Sequence, residues 1–187
     1  RFVNLFNHNR RELSSILPDY PSEDLAQYVH DLYVYDQGQR MNEFKEDVRI
    51  LAAMSLPAGE LHLAVRTLAR TYWIKDEVFV SHLMVSPLKK KRDRRRYQHL
   101  GKSFKIIHLN RPAFDVLGRK IEFDFSPKRW MLKVMRHLRL LRVLMPRWHK
   151  LERQIAEEIR SEILKVGSVP AADRWSYLKR LENIKGY

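Results

Sequence analysis

The chain has 187 residues, with 36 Lys and Arg against 22 Asp and Glu, a formal net charge of +14, and no cysteine. That length suffices for one domain with a real core. The missing cysteines exclude disulfides, thiolate metal sites, iron–sulfur ligation and cysteine nucleophiles, and fit a reducing, cytoplasmic compartment.

A hydrophobic content of 44% is that of a globular protein rather than a disordered one. No apolar run approaches the roughly 20 residues of a membrane span, so no membrane partner is expected. The chain begins with Arg1 rather than Met and reads as a processed or excised piece. Its charge is concentrated: residues 87–150 hold twenty basic and four acidic side chains, whereas residues 22–86 hold six and ten. Such concentration points to an acidic partner, an anionic cofactor or nucleic acid.

In chain order, residues 1–21 read as a linker or the end of a preceding domain, with Phe2, Leu5 and Phe6 available to dock elsewhere. Ser22, followed by Glu23 and Asp24, is placed to cap a helix whose stripe is Leu25, Tyr28, Val29, Leu32 and Tyr35. Gly38 permits a kink, and Phe44, Val48, Leu51 and Ala52 continue at helical spacing. Pro57 to Gly59 turn the chain into the central stretch, residues 60–84. There Leu61, Val65, Leu68, Tyr72, Phe79 and Leu83 recur on one helical face until Pro87 closes it.

Next comes a run of seven cations in eight residues, Lys89, Lys90, Lys91, Arg92, Arg94, Arg95 and Arg96, which also reads as a solvated loop. Residues 103–109 and 119–125 are rich in β-branched and aromatic side chains and predict a small β-hairpin with a long loop. Ser126-Pro127 opens a helix to about 145, striped with Trp130, Val134, Leu138, Leu141 and Met145. On another face of it stand Arg129, Lys133, Arg136, Arg139 and Arg142. Leu151, Ile155, Ile159 and Ile163 mark a helix ended by Gly167, and residues 170–181 mark a last short one. The expected fold is mainly α: an irregular bundle of five to six helices over residues 22–187, with one hairpin near 103–125.

Catalytic chemistry finds no footing. The eight histidines are scattered without metal-ligand spacing, and no phosphate loop, dinucleotide fingerprint or nucleophile elbow occurs. No catalytic, metal or cofactor residue is therefore assigned. Lys75, Asp76 and Glu77 interrupt the central apolar stripe and read as a salt-bridged polar cluster inside the bundle. The candidate anion or partner surface is Lys89, Lys90, Lys91, Arg92, Arg94, Arg95 and Arg96, joined by Arg129, Lys133 and Arg136.

Residues 68–83, an apolar helix followed by Lys-Asp-Glu, an aromatic and further helix, resemble a signature of the helical C-terminal domain of the indolepyruvate ferredoxin oxidoreductase family. Phe104 to Pro112 resembles its Phe-x-x-His-Leu…Pro stretch. Trp130-Met131 with Leu138, Leu141 and Arg142 resembles its Trp-Met helix, and Leu181 to Tyr187 its tail. Arg142 leads to Val-Leu-Met-Pro-Arg-Trp-His, where the family often has Gly-Thr and an Asp-Pro-Phe-Gly loop.

The resemblance implies a parent enzyme that oxidatively decarboxylates a 2-oxo acid with thiamine diphosphate, coenzyme A and iron–sulfur clusters, all held by other domains, and that reduces ferredoxin. This chain would be its non-catalytic accessory domain, meeting other domains or subunits, ferredoxin or the phosphates of coenzyme A. A basic nucleic-acid-binding module is the alternative.

Overall fold

The helix Ala58–Thr71, α4 in chain order, is buried on several sides: Leu63, Ala64, Val65, Thr67, Leu68, Ala69 and Thr71 are all inside. A computed structural model describes the chain over residues 2–101, 113–116, 119–122, 128–138 and 149–184. It divides into unit 1, Arg1–Ile74 with His149–Tyr187, and unit 2, Lys75–Trp148.

In unit 1, α1 (Phe2–Ile16), α2 (Ser22–Asp36), α3 (Met41–Ala53) and α4 are followed, after the excursion through unit 2, by α8 (Lys150–Leu164) and α9 (Ala171–Asn183). α4 packs against α3, α8 and α9, which explains why its buried positions exceed a single stripe. Its buried hydroxyls are satisfied within the helix, Thr67 Oγ1 donating to the Leu63 carbonyl and Thr71 Oγ1 to that of Leu68, each at 2.8 Å. Each fully buried leucine here, such as Leu68, contributes about 2 kcal/mol of apolar burial.

Residues 1–21 carry α1 as an integral helix rather than a free linker. It packs on α2 and α3, burying Leu13 and Asn9. Ser22 does not cap α2. It is the first helical residue, Pro21 occupies the cap position, and no side chain bonds there. α2 ends where Gln37 and Gly38 take positive φ, 65° and 79°. The Asp36 carboxylate closes this turn by accepting the Gly38, Gln39 and Arg40 N–H groups at 2.8, 3.1 and 3.2 Å.

Unit 2 holds α5 (Glu77–Val85), α6 (Pro87–Arg96), α7 (Arg129–Met135), and two four-residue strands, β1 (Ala113–Val116) and β2 (Arg119–Glu122). α5 packs against both α6 and α7. The strands pair antiparallel, Ala113 opposite Glu122 and Phe114 opposite Ile121.

The molecule is mainly helical, and the described residues form nine α-helices where five to six were expected. Residues 60–84 are two helices: Tyr72 to Asp76 break the stretch. Pro87 opens a helix from its first position, which suits its fixed φ and missing N–H, so the cationic run is helical and not a loop. The hairpin with strands at 103–109 and 119–125 is not what is seen. The partner of 119–122 is 113–116. Residues 103–109, 126–127 and 139–148 lie outside the described residues. α7 reverses the expected stripe. Leu132 is its buried residue, while Trp130 and Val134 are exposed, as is Leu138 beyond the end of the helix. No described helix is long and apolar enough to cross a membrane.

Candidate functional site

Lys75, Asp76 and Glu77 do not form the buried polar cluster their sequence suggests. Lys75 is exposed, Glu77 half-buried, and only Asp76 is buried. Asp76 sits in the extended backbone before α5, and its Oδ1 accepts the Phe79 N–H at 2.7 Å. Its carbonyl takes the first helical bond, from Val80 N at 2.9 Å. The carboxylate that interrupted the apolar stripe is thus an N-cap, placed there because the first turn of a helix has free N–H donors.

The basic run does form a common element. On α6, Lys90, Lys91, Arg92, Arg94, Arg95 and Arg96 are exposed and Lys89 is half-buried. Asp93 is buried among them, ion-paired with Lys89 and within 4.0 Å of Arg92 Nε. Arg94, Arg95 and Arg96 fill the last turn, where the helix dipole favours cations. The other proposed members lie on or next to α7: Arg129 is its first residue, Lys133 is exposed, and Arg136, half-buried, is its C-cap. α5 carries both helices.

The unit boundary divides the charge. Unit 2 holds twenty basic and six acidic residues, a surplus of fourteen, while unit 1 holds sixteen of each. Unit 1 pairs its charges internally. Lys45, buried on α3, donates to Glu12 at 2.7 Å, and this bond, with help from Arg49, holds the Glu12 carboxyl below its ordinary value. Glu182 on α9 takes Arg66 and Lys179.

Sequence reading missed a second polar centre, in unit 1. Asp47, buried on α3, accepts from Tyr72 Oη at 2.7 Å and from Arg160 Nε and Nη2 at 2.5 and 3.0 Å. The Arg40 and Arg160 guanidiniums lie 4.5 and 5.3 Å from the Tyr72 ring centre. Burial, then the Asp47 hydrogen bond, raises the Tyr72 phenol well above its ordinary range. The Asp47 hydrogen bond, followed by nearby anionic groups, raises Arg160. Glu43 is held low, first by its bond from Arg40. The only signal available in sequence was Asp47 beside the apolar Val48, one turn after Phe44.

A hollow of about 340 Å³ opens beside this centre, bounded by Tyr35, Arg40, Tyr72, Ile74, Arg153 and Glu157. A larger one of about 500 Å³, also in unit 1, lies among Leu17, Pro18, Tyr20, Pro21, Ala58 and His62. Among the described residues, no three His, Asp or Glu converge as metal ligands would. The centre around Asp47 is a tie between helices. Its acids and bases are engaged with one another.

No family model, curated protein or solved structure matches this chain.

Proposed function

We propose that the chain is a non-catalytic docking and assembly domain of a multidomain 2-oxo acid:ferredoxin oxidoreductase of the indolepyruvate type. In this reading unit 1 is the scaffold, and unit 2 is the face that meets an acidic partner: a neighbouring subunit or ferredoxin. The observation that carries the docking role is the division of charge, with the whole surplus of fourteen in unit 2 and none in unit 1. The family assignment is supported by the ordered resemblances. The best of them, residues 68–83, has a physical rationale, since Asp76 of the Lys-Asp-Glu segment is the cap that restarts the helix.

A cytoplasmic location goes with this reading. Thiamine diphosphate and the iron–sulfur clusters belong to other domains of the parent. The donor set here does not fit a cluster, because the chain has no thiolate to offer. The phosphates of coenzyme A remain an anion that α6 suits by charge.

The test is the rate of ferredoxin reduction by the intact parent enzyme against ionic strength. Replacing Lys90, Lys91, Arg94, Arg95 and Arg96 with Gln should lower the rate at low salt and flatten its salt dependence. A rate equally insensitive to salt in both forms would overturn the docking role.

Nucleic acid is the second reading, favoured by six exposed cations around a ten-residue helix. Tight, steeply salt-dependent binding to duplex DNA or RNA by nuclease-treated protein would establish it in place of the first.

A further inference from the structure

We infer that the hollow beside Tyr72 binds a small organic carboxylate, whose anchoring point the Glu157 side chain fills when no ligand is there. This concerns unit 1 and does not rest on the docking role of unit 2. Glu157, on α8, holds two guanidiniums with one carboxylate. Its Oε1 accepts from Arg40 Nη2 at 2.7 Å and its Oε2 from Arg160 Nη1 at 3.2 Å. A carboxylate matches guanidinium forks whether it is tethered to the chain or free.

Glu157 is the exchangeable member of this centre. Asp47, with its side chain 5% exposed, is fixed by Arg160 and by the Tyr72 hydroxyl. Glu43 pairs with both Arg40 and Arg160 from α3. The Glu157 side chain is 52% exposed, and of these three carboxylates it is the one that borders the hollow. Exposed ion pairs are weak and yield readily to competition. When Glu157 swings outward, Glu43 and Asp47 still hold the two arginines in place. The site it leaves is therefore already shaped for a carboxylate, and a ligand need not order it.

The walls select what the carboxylate is attached to. A volume of about 340 Å³ is within the range of small-molecule sites. Tyr35, Tyr72, Ile74 and Ala156 supply ring and aliphatic surface, and Arg153 adds a further cation. Asp36 also borders the hollow, but its carboxylate is engaged by the Gly38, Gln39 and Arg40 N–H groups. A compact apolar body with one carboxylate meets both parts. Inorganic phosphate would satisfy the arginines and leave the apolar wall uncovered. An organic cation would face Arg40 and Arg153.

The experiment is isothermal titration of the full chain with sodium benzoate, acetate and phosphate at fixed ionic strength, followed in parallel by the arginine side-chain N–H resonances. Wild type should bind benzoate weakly. Glu157→Ala removes the tethered competitor and should tighten benzoate binding about tenfold. Acetate, lacking the apolar body, should bind less tightly than benzoate. The Arg40 and Arg160 resonances should be the ones that move.

Glu158→Ala removes the same charge from an exposed neighbour on the same helix and should leave binding as in wild type. In the Glu157→Ala background, Arg40→Gln should abolish binding, and Arg40→Lys, which keeps the charge but loses the fork, should weaken it several-fold. Circular dichroism should show each variant folded. Absence of benzoate binding by Glu157→Ala would overturn the inference. Equal tightening by Glu158→Ala would overturn it by showing a general charge effect. Phosphate binding more tightly than benzoate, or benzoate binding without movement of the Arg40 and Arg160 resonances, would overturn it as well. Each of these outcomes leaves the docking role of unit 2 standing.

Discussion

Arg160 grips Asp47 with two nitrogens across 113 positions of sequence, at 2.5 and 3.0 Å, joining α8 to α3. The two sides of this pair are not equivalent. Arg160 is also paired with Glu43 and Glu157, whereas Asp47, more deeply buried, has Arg160 and the Tyr72 hydroxyl.

Removing the arginine should therefore cost more than removing the carboxylate charge. Arg160→Met leaves a buried carboxylate without its cation and is expected to lower the unfolding free energy by about 3–5 kcal/mol. Asp47→Asn leaves Arg160 two other carboxylates and is expected to cost about 2 kcal/mol. Urea unfolding of both variants gives the order; a reversed order would show that Glu43 and Glu157 are the principal partners of Arg160.

Asp76 should act as the cap of α5. Asp76→Ala removes the acceptor of the Phe79 N–H and should destabilise by about 1–2 kcal/mol, while Asp76→Ser retains most of the stability. Equal losses in the two would mean that the carboxylate charge, and not the cap, matters.

Gly38 has φ +79°, and a Cβ there would stand 2.7 Å from Tyr33 Cε1. Gly38→Ala combines a left-handed backbone with a clash against a ring and should lower stability by about 1–2 kcal/mol. An unchanged denaturation midpoint would show that the Tyr33 ring moves aside freely.

The pH dependence has a definite sign at each end. Glu12, held low first by Lys45, and Glu43, held low first by Arg40, ionise in the fold below the ordinary 4.5. Their contribution is complete above that value and is lost as pH falls through the lower folded values. Tyr20, Tyr28 and Tyr72 are raised above the ordinary 10.0, chiefly by burial. Stability should therefore fall again above about pH 10, where the unfolded phenols ionise first. Thermal melting across pH should show both limbs, and Glu12→Gln should make the acid limb shallower. An acid limb unchanged in that variant would remove Glu12 from the account.

Helices in unit 1 were legible where one apolar face repeats: Leu25, Val29 and Leu32 in α2, Phe44, Val48 and Leu51 in α3. Period alone did not show where helices stop. Tyr72 and Phe79 continue each other's spacing, yet Asp76 between them restarts the chain, and a carboxylate reads equally as a cap or as a misplaced core polar group. Trp130 and Val134 on α7, with Leu138 just past its end, repeat in sequence as well as any core stripe. Which stripe is buried depends on what α5 offers, and Leu132 won that place. The charged surface was visible as a run of residues, but its confinement to one unit needed the contacts that define the unit. Asp47 was hidden because its partners, Tyr72 and Arg160, are remote in sequence.

Unit 1 is made of two stretches of chain separated by all of unit 2. On a ribosome adding about 5–20 residues per second, Asp47 is made roughly 6–23 seconds before Arg160. Throughout that interval α4 lacks α8 and α9, and the sides it will turn toward them have nothing to cover them. All of unit 2 is synthesised before α8 begins. The nascent chain therefore passes through a stage that displays bare leucine and valine surface together with a strongly cationic insert, and it is at this stage, rather than in the finished molecule, that misassociation is most to be expected.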